Sequence, residues 1–265
     1  PFLITNGAEL YKMVVDGGMV NGVPKYYRLD DDIYLNKNYQ KYSSWGANIP
    51  ENNWTKNWGE ITSTAFYGCF DGNGYTIYGL YASASPSWTT NIGVALIPRL
   101  AARDGMGIAL AYCGRITNVN IECAYVYAKN IAAAALVGGA NEGTTRIFNS
   151  SVTNSKISGD FGVAGILGNT MDGDNGGWVK VENCFTENLN LSITTSAGKK
   201  DCGAIPGRVN RQNVKYCFSI GNYPLGRSDS YGGGFTAVYT DTAVNSSISG
   251  ANGGEATVVT TDKLN

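Results

Sequence analysis

The chain has 265 residues, a formal net charge of -1 at pH 7 and only 15% charged residues, against roughly 25% in an average soluble domain. That balance leaves no basic footprint for a nucleic-acid backbone, and no apolar run approaches the ~20 residues of a membrane-spanning helix. The complete lack of histidine removes the commonest general base and the triads and metal sites built on it.

Thirty-five glycines, with polarity supplied mostly by Asn, Thr, Ser and Tyr, suit a β-rich extracellular protein whose surface is hydroxyl and amide rather than charge. Pro1 is not a natural start, and the last residues, Thr260 to Asn265, hold no closing motif. The expectation is a mature fragment or excised module of a larger chain with further modules.

In chain order, Ile4 to Tyr11 predict a short helix capped by Thr5 or Asn6, with Leu10, Val14 and Val15 as its buried stripe. Lys25 to Leu29 and Asp32 to Leu35 alternate as half-buried strands do. Residues 1–65 are expected to form an N-terminal cap and first irregular coil, and residues 66–265 one continuous run of repeats. Asp30-Asp31-Asp32 reads as a solvated charge run.

Aromatic residues crowd this first third. Of 22 Tyr and Trp residues, 14 fall within the first 88 positions. Tyr39, Tyr42, Trp45, Trp54, Trp58 and Trp88 lie mostly amid Asn, Lys, Ser and Thr. Tyr and Trp combine a large apolar face with a polar handle at low entropy cost. Such rings stack on sugars, so these six, with Trp178 on a later loop, are the candidate polysaccharide-binding residues. The competing expectation is that they pack the cap; Trp45, Trp54 and Trp58 together point to at least one exposed platform.

From residue 116 a pattern recurs. Ile116-Thr117-Asn118-Val119 is echoed by Ile147-Phe148-Asn149-Ser150, Val181-Glu182-Asn183-Cys184, Val214-Lys215-Tyr216-Cys217 and Val244-Asn245-Ser246-Ser247, at intervals of 31, 34, 33 and 30 residues. About 20 residues after most of these starts come the glycine-bounded segments Ala135-Leu136-Val137-Gly138, Gly165-Ile166-Leu167-Gly168, Ala204-Ile205-Pro206-Gly207 and Gly234-Phe235-Thr236-Ala237. Such periods signal stacked repeats. Short strands with period-two alternation, as in Val119 to Tyr125, fit an all-β parallel β-helix. Asn118, Asn149 and Asn183 are then expected to form a column at one corner, bonding one another up the stack.

Cys184 and Cys217 hold the same position in consecutive units. Parallel strands lie roughly 4.8 Å apart, which allows a disulfide; a ladder of small buried thiols is the better fit.

Phe70-Asp71-Gly72-Asn73-Gly74-Tyr75-Thr76-Ile77-Tyr78-Gly79-Leu80 resembles the opening motif of bacterial secreted and surface proteins with GLUG repeats. Their Ile-x-Asn-Cys/Ser and Gly-Leu-x-Gly elements are matched in order from Ile116 to Ala237, so the resemblance spans Phe66 to about Gly250. It implies a right-handed parallel β-helix, a bacterial source and a secreted or cell-surface location, without fixing one activity. The first unit departs from the pattern, with Val94-Ala95-Leu96-Ile97-Pro98 in place of Gly-Leu-Phe-Gly.

The chemistry-bearing candidates are few. A glycosidase needs two facing carboxyl groups, for which Asp160, Asp172, Asp174 and Asp201 are available; a lyase could draw on Lys199, Lys200, Arg208 and Arg211. Asp172, Asp174 and Asn175 offer three oxygen ligands toward calcium, which wants six to eight; a plain turn is the simpler reading. No catalytic set is assigned. The leading expectation is a non-catalytic carbohydrate-binding module, with a protein-binding adhesive spacer and a polysaccharide lyase or hydrolase as alternatives.

Overall fold

The computed structural model describes residues 1–46, 50, 57–61, 65–85, 93–102, 114–141, 144–170, 179–194, 201–209, 212–221, 227–228, 234–236, 239–240 and 257–258. They form a right-handed parallel β-helix with an N-terminal helical cap, as the repeat and the resemblance imply.

Three sheets run along the stack. The first pairs Phe2–Ile4, Tyr26–Leu29, Cys69–Asp71, Arg115–Thr117, Thr145–Phe148, Val179–Glu182, Gln212–Lys215 and Gly234–Thr236 in that order. The main path of the second runs from Ile33–Tyr34 through Thr76–Tyr78, Asn120–Glu122, Ser151–Ala164, Phe185–Ile193 and Phe218–Ile220 to Thr257–Val258. The third joins Ala65–Phe66, Ile97–Ala101, Val137–Asn141, Leu167–Thr170, Pro206–Val209 and Arg227–Ser228. Strands from before residue 65 therefore enter the same first and second sheets as those after it.

The register is set by apolar columns. Tyr27, Phe70, Ile116, Ile147, Val181 and Val214 stand opposite one another in turn, and all are buried. Each such side chain contributes about 1.5–3 kcal/mol by leaving water. A slip of one residue would turn every one of them outward, which is why the register is firm.

The corner asparagines form the expected column. Asn118, Asn149 and Asn183 follow aligned strand ends, and each backbone N–H donates to a carbonyl of the next coil, those of Phe148, Glu182 and Lys215. Their φ angles are 55°, 50° and 54°, a left-handed bend that asparagine tolerates better than other side chains. A second corner, unpredicted from sequence, places Gly79, Cys123, Asn154 and Asn188 in the same conformation.

The glycine-bounded segments align as expected through Ile97, Val137, Leu167 and Pro206, so the divergent first unit keeps its place. Gly138 is required by close approach, since a β-carbon there would stand 2.6 Å from the backbone of Gly93. One assignment is corrected: Gly234-Phe235-Thr236 belongs to the first sheet, with Phe235 opposite Val214. The coil is shorter there, and Arg227–Ser228 takes the third-sheet place. Val244 to Ser247 lie outside the described residues.

The cap helix spans Gly7–Val15. Asn6 caps it by accepting from Glu9 N–H, while the Glu9 carboxylate reaches past the cap to accept from Thr5 N–H at 2.8 Å, a variant of the capping box. It ends in a Schellman motif, with Gly18 N–H donating to Met13 O and Gly17 N–H to Val14 O. Leu10, Met13 and Val14 are buried, whereas Val15 is exposed. The expected stripe thus takes Met13 in place of Val15, because residues three and four beyond Leu10 share its face and the fifth does not.

Cys184 and Cys217 are reduced, buried thiols. Their Sγ atoms donate to carbonyls two residues back, those of Glu182 at 3.4 Å and Lys215 at 3.3 Å. Burial, followed by the neighbouring Cys217 thiol, holds the Cys184 thiol well above the usual range, so it stays protonated.

Candidate functional site

Outward positions of the second sheet alternate with its buried column. In the first two coils they are aromatic. Tyr34 and Tyr78 stand in register with rings stacked at 4.8 Å and 8°. Tyr39 leans on both, at 5.8 Å from Tyr34 and 5.0 Å from Tyr78. Tyr34 is 48% exposed; Tyr39 and Tyr78 are half-buried. The three rings make an aromatic platform on the flank of the solenoid, Tyr34 and Tyr78 face to face and Tyr39 inclined to them by 50° and 46°.

Past the second bend the aromatic row continues beneath a strap. Tyr81 and Tyr125 are in register and stacked at 5.5 Å and 8°. The 3-10 turn Tyr39–Ser44 and the following Trp45 cross over them. Trp45 meets Tyr81 edge-on at 6.2 Å, and Tyr81 donates from its hydroxyl to Gly46 O at 3.0 Å. Lys156 lies 5.3 Å above the Tyr125 ring and donates to Ser43 O at 3.1 Å. Tyr42 and Tyr127 pack beside this group. The strap fixes Tyr39 on the platform and leaves Lys37, Gln40 and Lys41 exposed beside it.

Desolvation, reinforced by the negative charge of Asp32, raises the Tyr34 and Tyr78 phenols above their ordinary range. They remain neutral hydroxyls at physiological pH, able to donate as well as accept. A face of stacked rings edged by hydroxyl, amide and ammonium groups suits a ligand with both an apolar face and many hydroxyls.

The sequence-predicted residues are placed unevenly. Tyr39 and Tyr42 belong to this assembly. Trp45 is 8% exposed and works as a prop under the strap. Trp58 is 1% exposed; its Nε1 donates to Leu96 O at 2.7 Å and its ring meets Tyr11 edge-on. The expectation of exposure is therefore corrected for both tryptophans: polar neighbours in sequence occupy turns, while the indoles themselves turn inward. Trp54, Trp88 and Trp178 lie outside the described residues, as do Asp172, Asp174 and Asn175 of the calcium candidate and Lys199, Lys200 and Arg211.

Asp160 is engaged in structural hydrogen bonds, accepting from Asn130 N–H at 2.9 Å and from the Thr194 hydroxyl. Asp201 is buried, with Arg208 Nε 3.9 Å from its carboxylate. Among the described residues no three His, Cys, Asp or Glu side chains group as metal ligands, and no helix is long and apolar enough to cross a membrane.

Tyr34, Tyr78, Tyr81, Tyr125 and Tyr127 were not among the candidates from sequence. The signal was present in the repeated dipeptides Ile33-Tyr34 and Ile77-Tyr78, each an inward residue followed by an outward ring at the same place in successive coils.

No family model matches the chain, and no curated protein matches it. Among solved structures, the chain is similar to a Bacteroides ovatus protein provisionally named an immunoglobulin A1 protease. The two share 16% sequence identity and a TM-score of 0.51, over 97% of this chain and 74% of that one. At that identity the likeness is one of fold: this chain is built as a parallel-stranded β-solenoid.

Proposed function

We propose that this chain is a non-catalytic carbohydrate-binding solenoid, part of a secreted or surface-attached bacterial protein of the GLUG-repeat kind, and that it holds polysaccharide on the Tyr34–Tyr39–Tyr78 platform. The observation that carries the reading is the stacked pair Tyr34–Tyr78, kept outward by strand alternation and half open to solvent. The half-exposed Tyr34 ring offers a sugar an apolar surface, and the exposed polar side chains of Lys37, Gln40 and Lys41, on either side of Tyr39 in the chain, supply groups to bond its hydroxyls. The protease name attached to the structural neighbour is not adopted for this chain, because the likeness extends to fold alone.

A glycan array tests the proposal. Wild-type protein is expected to bind neutral polysaccharides such as β-glucan, xyloglucan or mannan, and the double variant Y34A/Y78A to lose that binding. Equal signals from the two proteins, or none from wild type on any glycan, would refute it.

A further inference from the structure

A second feature lies on the outward face of the first sheet, away from the tyrosine platform. Arg115 stands opposite Arg146, and Arg146 opposite Lys180, on three successive strands. Each neighbours an inward apolar residue, Ile116, Ile147 or Val181, so all three cations point outward. Neighbouring strands are about 4.8 Å apart, which makes a straight file of one positive charge per coil. Like charges directly opposite one another destabilise a sheet.

Among the described residues none of the three is in an ion pair, whereas Arg28 pairs with Asp30 at 3.5 Å and Lys12 with Asp16 at 2.7 Å. Asp71, on the strand before Arg115, turns its carboxylate oxygens to other donors. Its Oδ2 accepts from the Tyr26 hydroxyl at 2.6 Å, and its Oδ1 accepts from Asn118 Nδ2 and Asn73 N–H, both at 2.9 Å. Glu182 shares the outward face of its strand with Lys180 and stands opposite Lys215 on the next, without an ion pair to either among the described residues. The Arg115 guanidinium lies 5.9 Å above the Phe148 ring, which holds it along the strand face instead of free in solvent.

We propose that this file binds an acidic polysaccharide carrying one anionic group, carboxylate or sulfate, on each sugar. An extended glycan of that kind advances by about one strand spacing per residue, so its charges fall in step with Arg115, Arg146 and Lys180. Duplex DNA fits poorly: it presents one charge per ~1.7 Å of axis on two winding strands and calls for a broad basic field, not a single file on a chain of net charge -1.

Affinity electrophoresis of the full chain tests this, in gels containing polygalacturonate, its fully methyl-esterified form, chondroitin sulfate or no polymer, with a parallel titration against duplex DNA. Wild type is expected to be retarded by at least one of the two acidic polymers, less so as salt rises, and not by the ester. Retardation by polygalacturonate shows that carboxylate suffices, and retardation by chondroitin sulfate alone, whose sugars carry carboxylate and sulfate in turn, shows that carboxylate by itself does not. R115Q/R146Q/K180Q should bind at least about tenfold more weakly, the scale expected for removing several charge contacts, while K12Q binds as wild type does. Circular dichroism and melting curves establish that the triple variant is folded; should it not fold, K180Q alone must weaken binding severalfold. Equal binding by the charge variants, by the ester or by DNA, or no retardation of wild type by either acidic polymer, overturns the proposal. The tyrosine platform is tested with neutral polymers and its own variants, so failure here leaves it to be judged separately.

Discussion

Asn188 donates its side-chain amide to Oδ1 of Asn154 across one coil at 2.7 Å, and Asn154 donates in turn to a Glu122 carboxylate oxygen at 3.2 Å. The other corner repeats the arrangement, from Asn149 to Asn118 at 3.3 Å and from Asn118 to Asp71 at 2.9 Å. Both ladders run toward the N-terminal cap and end on a carboxylate. An amide both donates and accepts, so a row of amides needs an acceptor-only group to finish it.

Breaking the ladder in mid-row tests that arrangement. N154A removes two hydrogen bonds and leaves at φ 46° a residue without the short amide that lets asparagine adopt this backbone, so it should cost about 2–3 kcal/mol in urea unfolding. N154G loses the same bonds without the backbone penalty and should cost about 1 kcal/mol less. Equal losses would show that the left-handed bend is not what asparagine is there to supply.

Tyr216 occupies the asparagine corner of its coil at φ 54° and is 59% exposed. A bulky residue in this region is strained. Y216N should stabilise the chain by about 1 kcal/mol, raising the melting temperature by a few degrees; a lower melting temperature would mean the ring makes contacts worth more than the strain.

The stack was legible in the sequence because every coil must bury an apolar residue at the same place. Ile116, Ile147, Val181 and Val214 therefore advertise the register. The corner at Asn118, Asn149 and Asn183 was legible for a related reason, since few residues tolerate that backbone. The second corner was not, because Cys123 and Gly79 break the asparagine pattern there. The aromatic site was legible only as an excess. Whether a given ring faces out depends on strand parity and on the strap, so Trp45 and Trp58 turn inward while Tyr34 and Tyr78, unremarkable in sequence, form the exposed face.

The Tyr26–Asp71 hydrogen bond gives two pH signatures. Burial alone would raise the Asp71 carboxyl, but hydrogen bonds from Tyr26, Asn118 and Asn73 outweigh it and hold it below the usual range. Its stabilising effect is complete above the unfolded carboxylate range near pH 4 and is lost as pH falls through the depressed folded value. Tyr26, chiefly through that bond to Asp71, is pushed up to about 12. It stabilises fully below about pH 10, the unfolded phenol value, and this is lost as pH rises toward 12. D71N should move one phenol titration back toward 10 and flatten the acid limb of the stability curve; an unchanged phenolate absorbance titration would contradict the assignment.

Trp58 and Tyr34 should separate stability from binding. W58F removes the donor to Leu96 O and leaves that buried carbonyl unpaired, costing about 1–3 kcal/mol in stability with no change in glycan affinity. Y34A removes a ring stacked on Tyr78 and should cost about 0.5–1.5 kcal/mol in stability while weakening glycan binding. Chemical denaturation alongside the glycan array reads both quantities, and a loss of binding in folded W58F would contradict the assignment of Trp58 to the core.

Lys156 holds the strap through Ser43 O and the Tyr125 ring. K156A should speed hydrogen exchange several-fold at the Lys41 and Trp45 amides, which bond within the strap turn to Asn38 O and Tyr42 O, with little change at Ile121 in the sheet. Unchanged exchange would show that the aromatic packing holds the strap unaided.

Calorimetric titration of wild type and Y34A/Y78A with a neutral polysaccharide selected on the array measures the platform most directly. The account predicts saturable binding by wild type and at least about tenfold weaker binding by the double variant, the scale of stacking contacts worth about 1–3 kcal/mol, with circular dichroism showing both proteins folded. Identical isotherms for the two folded proteins would show that Tyr34 and Tyr78 carry no sugar.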